Sequence, residues 1–100
     1  MDIRFITTSL PKSSSAYIFG SFLKSASPND VDVLVVYDPQ FCAPAQAYEL
    51  HSSFVNRLKE VTGIPVHVTL LTAGEERGCN FINDTGAVRF DLIVDSKLAE

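Results

Sequence analysis

The run Val31-Asp-Val-Leu-Val-Val-Tyr37 constrains this chain more than any other stretch. It is dominated by valine, whose branched side chain suits a pleated backbone, and Asp38-Pro39 closes it. A strand this apolar needs cover from other elements, and the flanking patterns supply it. Ala16 to Phe19 is a short apolar run ended by Gly20-Ser21, which reads as a buried strand entering a tight turn. Residues 24–29 are turn formers. From Pro44 to Thr62, Ala47, Leu50, Phe54, Leu58 and Val61 step by three or four and so share one helical face, with Gly63 and Pro65 as the stop. Val66 to Leu71 is a further strand, and Thr72-Ala-Gly-Glu75 has the spacing of a capping box opening a helix of about ten residues that reaches Asn83. Gly86 breaks that helix, and Ala87 to Val94 reads as the last strand. Residues 2–10 fit a helix or a strand equally well. The order predicts one α+β domain over residues 1–100, a small mixed sheet with helices packed on one face.

Composition narrows the class of function. Hydrophobic residues make up 46% of the 100 positions and the mean hydropathy is +0.15, which excludes a disordered chain. Twelve acidic against eight basic residues give a net charge of −4. A DNA-binding surface needs a basic footprint, and this balance argues against one. A phosphorylated ligand carried by a metal is still compatible, because the metal brings the positive charge. Cys42 and Cys79 lack CxxC spacing and a neighbouring His cluster, so two reduced thiols in a cytoplasmic protein are expected. The first twelve residues lack a basic region followed by a long apolar run, and no stretch nears 18 apolar residues, so neither a signal peptide nor a membrane span is expected.

Two features carry chemistry. Asp30 and Asp32 stand at i and i+2 at the entry to the strongest strand, so their carboxylates project from one face. Like charges at that spacing call for a cation, and hard oxygen ligands suit magnesium, bound by one or two carboxylates together with substrate phosphates. The alternative is an Asx-type turn at Asn29-Asp30 with Asp32 solvated. Gly20-Ser21, at the end of the preceding strand, lets the backbone approach a ligand closely and offers a hydroxyl to phosphate oxygens; it is equally an ordinary turn.

Taken together, Ile18-Phe-Gly-Ser-Phe-Leu-Lys24 and Asn29-Asp-Val-Asp-Val-Leu-Val-Val-Tyr-Asp38 resemble the signature of the DNA polymerase beta-like nucleotidyltransferases, most of all the minimal stand-alone type. The specific part covers residues 18–38, and the downstream order of elements fits the same fold. The resemblance implies metal-dependent transfer of a nucleoside monophosphate, AMP from ATP, to a hydroxyl on a partner. Gly20 and Ser21 would bind the triphosphate, and Asp30 and Asp32 would hold two magnesium ions that bridge its phosphates to the acceptor. Lys24 would screen phosphate charge or stand as a solvated loop lysine. The resemblance also implies a second role, as the antitoxin half of a toxin–antitoxin pair with a small all-helical protein of the HEPN type. The high apolar fraction and low charge fit a surface hidden against such a partner or a second copy.

The sequence departs from that pattern in three places. Active members carry a third carboxylate on the next core strand, where Ile64-Pro-Val-His-Val-Thr-Leu-Leu71 offers His67. His67 reads as a catalytic base, as a ligand for manganese or another softer ion, or as a polar residue left on the open face where an acid has been lost. Asp91 is the nearby candidate to replace that acid. Only eight residues, Phe22 to Asn29, separate Ser21 from Asp30, and Lys24-Ser25 occupy the place of a further glycine. Elsewhere, His51 within the long helical pattern reads as a packed or half-exposed group, Glu76 as a solvated first-turn acid, and Phe22 and Phe41 as packing residues able to stack on a base.

Overall fold

The computed structural model describes residues 10–11, 13–25 and 27–90. Strand β1 (Ser15–Phe19) leads through a single helical turn, α1 (Ser21–Lys24), to β2 (Val31–Tyr37). A 3-10 turn (Pro44–Gln46) and α2 (Ala47–Leu50) precede the longest helix, α3 (Ser52–Thr62). Then come β3 (Val66–Thr72), α4 (Ala73–Cys79), α5 (Phe81–Thr85) and β4 (Val88–Arg89). The strands form one sheet in the order β3-β2-β1-β4. β2 pairs parallel to β3 and antiparallel to β1, which pairs antiparallel to β4. The architecture is α+β, a four-stranded mixed sheet with helices packed against it. Among the described residues no helix is long and apolar enough to cross a membrane.

The alternation of β2 organises the core. Val31, Val33 and Val35 are fully buried and meet Ala16 and Ile18 of β1 with Phe54, Val55 and Leu58 of α3. Phe90 joins them, its ring edge-on to Phe54 at 5.5 Å between centroids. Both ends of β2 are anchored. Pro65 carbonyl accepts from Val31 N–H at 2.9 Å, and beyond Tyr37 the Asp38 carboxylate accepts from Gln40 N–H at 2.9 Å. The latter is an Asx turn that terminates the strand.

The helical pattern from Pro44 to Thr62 is interrupted. His51 has φ −99° and ψ 3°, and its ring Nδ1 lies 2.7 Å from the Ala47 carbonyl, which also accepts from its backbone N–H at 3.1 Å. The Ala47 carbonyl thus takes two donors from one residue, and the buried face runs on through Ala47, His51, Phe54, Val55 and Leu58. Leu50, expected on the buried stripe, is 46% exposed, and His51 is fully buried in its place. Tyr48 and Phe41 are exposed as well. Gly63 ends α3 as expected, with φ 70° and its N–H on the Lys59 carbonyl.

The capping box forms as the spacing predicts. Thr72 Oγ1 accepts from Glu75 N–H, and a Glu75 carboxylate oxygen accepts from Thr72 N–H. The single helix expected after it is split at Asn80, whose φ of 55° is left-handed. Glu76 is not a free first-turn acid: its carboxylate accepts from Ile82 N–H at 3.0 Å and caps α5. Pairing of the last strand stops at Arg89, and residues 91–94 of the expected strand lie outside the described residues.

Tyr37 belongs to a smaller buried cluster with Cys42 and Ala47. Burial pushes its phenol above the usual value, and the nearby Glu75 and Cys42 add to the shift. The native state therefore favours the neutral phenol. That contribution to stability is complete below the unfolded value of about 10 and is lost as pH rises through the higher folded value. Thermal unfolding followed between about pH 9 and 11 should fall more steeply for the wild type than for Tyr37→Phe; parallel curves would contradict this.

Candidate functional site

Strand register brings the Gly-Ser turn, the Asp-x-Asp pair and His67 to one end of β2. Phe19 pairs with Asp32, and Asp32 with His67. Residues paired across a sheet share a face, so Phe19, Asp32 and His67 lie on the face opposite the valine core. Asp30 immediately precedes β2, two residues from Asp32.

Gly20 is built into this arrangement. Its φ of 79° and ψ of −153° lie in a region that side chains other than glycine avoid. A Cβ placed there would stand 2.5 Å from Asp32 Oδ2. Bare backbone at position 20 is therefore the condition for the Asp32 carboxylate to lie against the turn. Ser21, next in the chain, donates from Oγ to Asp30 Oδ1 at 3.5 Å. The other oxygen, Asp30 Oδ2, lies 3.5 Å from His67 Nε2. Both contacts are at the outer limit of hydrogen bonding, so these groups are gathered loosely rather than locked. The site is open to solvent, with the His67 side chain 64% exposed and that of Asp30 36% exposed.

Lys24 closes the last turn of α1 and is exposed. Phe22 is buried in the core and is unavailable to stack on a base. Phe19, across from Asp32, is met edge-on by Phe81 at 5.1 Å, which brings α5 to the border of the polar face. That contact lay beyond sequence reasoning, because Phe81 shares no periodic pattern with β1. Asp91 lies outside the described residues. Glu76 is engaged at the N-terminus of α5.

Among the described residues no three His, Cys, Asp or Glu side chains are close enough to enclose a metal ion. The Ser21 hydroxyl and the His67 imidazole each lie 3.5 Å from the Asp30 carboxylate, and the Asp32 carboxylate lies against Gly20. Magnesium needs no complete protein cage, since it retains waters and is commonly held by one or two carboxylates plus substrate phosphates. Asp30 and Asp32 are the residues here that could hold an ion in that open manner. No protein-family model, curated protein or solved structure matches the chain.

Proposed function

We propose that this chain is a magnesium-dependent nucleotidyltransferase that moves AMP from ATP to a hydroxyl of a partner macromolecule. The observation that supports this reading is the approach of the Asp32 carboxylate to Gly20, so close that a Cβ there would stand 2.5 Å from Oδ2, which brings the Gly-Ser turn beside the acid pair. Asp30 and Asp32 would hold the magnesium, which would supply positive charge to neutralise the phosphates and polarise the phosphoryl group under attack. Gly20 lets the triphosphate approach the backbone, and Ser21 Oγ turns from Asp30 to a phosphate oxygen. Lys24 adds positive charge at the end of α1. His67 accepts the proton of the acceptor hydroxyl at a ring nitrogen as that oxygen bonds to the α-phosphorus and pyrophosphate leaves. Manganese, which tolerates imidazole better, is the alternative ion.

A second reading is favoured by a separate observation. Phe41, Tyr48 and Leu50 are large apolar residues exposed within ten positions of one another. With His67 in place of an acid, the domain would act as a partner-binding module, the antitoxin to a small helical HEPN-type protein or a surface for a second copy. Calorimetric titration with ATP, with and without magnesium, tests the first reading. Binding should require magnesium and weaken at least about 100-fold in Asp32→Ala, since even residues behind a metal ligand typically matter 10–100-fold. If the folded wild type shows no magnesium-dependent binding, the enzyme reading fails.

A further inference from the structure

At the other end of β1 from Gly20, a serine and a buried histidine form a pair that the proposed reaction does not use. Ser14 Oγ lies 2.8 Å from His51 Nε2, and His51 Nδ1 lies 2.7 Å from the Ala47 carbonyl. A carbonyl only accepts, so in the neutral ring the hydrogen is on Nδ1 and the Nε2 lone pair receives the Ser14 hydroxyl. The imidazole is fully buried, while Ser14 is half-exposed. The chain reaches Ser14 through a tight turn in which Ser14 N–H donates to the Pro11 carbonyl at 3.2 Å. Ser13 within that turn has φ 64°, a conformation that costs an L-residue about 1–2 kcal/mol.

We propose that Ser14 is an activated nucleophile, with His51 as its general base and the Ala47 carbonyl as the group that orients the ring. Nucleophile, base and orienting acceptor are the three parts such chemistry needs, and all three are at hydrogen-bond distance here. The ring is flanked by Tyr37, 5.9 Å away between centroids, in the cluster of Tyr37, Cys42 and Ala47. An activated ester is the substrate class that such a pair attacks. Ser14 Oγ bonds to the carbonyl carbon and its proton passes to His51 Nε2. The ester C–O bond then breaks, and the leaving alkoxide takes that proton. The product is an acyl ester on Ser14, which water cleaves by the same steps.

A fluorophosphonate probe tests the pair on the full chain. Ser14 Oγ would displace fluoride from phosphorus, and peptide mass spectrometry would locate the adduct. Ser14 should be labelled about 10²–10⁴-fold faster than the exposed Ser27 and Ser53, the range general-base assistance supplies. His51→Gln should remove that advantage in a protein that circular dichroism shows to be folded. Should that variant not fold, the comparison of Ser14 with Ser27 and Ser53 in the wild type decides. Labelling of Ser14 no faster than of those two serines, or undiminished labelling in folded His51→Gln, would overturn the proposal.

Discussion

Alanine at position 20 is expected to lower the melting temperature by at least about 10 °C and to abolish magnesium-dependent ATP binding. Two costs combine. The backbone at Gly20 is in a glycine-only region, which costs a side chain roughly 1–3 kcal/mol. The added methyl would also stand 2.5 Å from Asp32 Oδ2, and overpacking of that kind costs about 1–3 kcal/mol more. In a domain of this size each kcal/mol moves the midpoint by about 4–8 °C. Gly63→Ala is the control. Gly63 also has a positive φ, but its new methyl would meet nothing within 4 Å. Only the backbone cost remains there, about 1–2 kcal/mol. Equal shifts for the two variants, measured by calorimetry, would mean that Gly20 does not press on Asp32.

The second large effect lies in the core. Phe54→Ala should cost about 3–5 kcal/mol, because it removes a fully buried ring and leaves a cavity lined by β2 and Phe90. Small domains have only about 5–15 kcal/mol in total, so the variant should begin unfolding in little or no urea. Phe54→Leu keeps most of the volume and should cost distinctly less. A loss below about 1 kcal/mol for Phe54→Ala, read from urea midpoints, would show that the contact between α3 and the sheet is not the main source of stability.

Legibility from sequence followed the range of the interactions. β2 was readable to the residue, because a valine-rich run carries its own preference and its ends are set by local turns. The capping box and the Gly63 stop were readable for the same reason. The long helix departs from its apolar pattern at Leu50, which is exposed, while His51, readable as a packed group, is buried through hydrogen bonds to Ser14 and Ala47 that no apolar periodicity encodes. The split at Asn80 was likewise hidden, because Glu76 caps the next helix across six residues. In the site, Gly20, Ser21, Asp30 and Asp32 stood out by spacing along one stretch. That His67 faces Asp30 depends on the parallel register of β2 with β3, a non-local pairing. The Ser14–His51 contact spans 37 positions and left no trace in the local pattern.

The alternation of β2 has an evolutionary consequence. Val31, Val33 and Val35 hold the fold from one side of the strand, while Asp30 and Asp32 hold the polar groups on the other. Selection can therefore act on the two sides as nearly separate traits. A lineage could exchange the exposed residue at position 67, or retire the acid pair, without disturbing the valine face. The same scaffold would then drift between chemistry and simple attachment, with its folding left intact throughout.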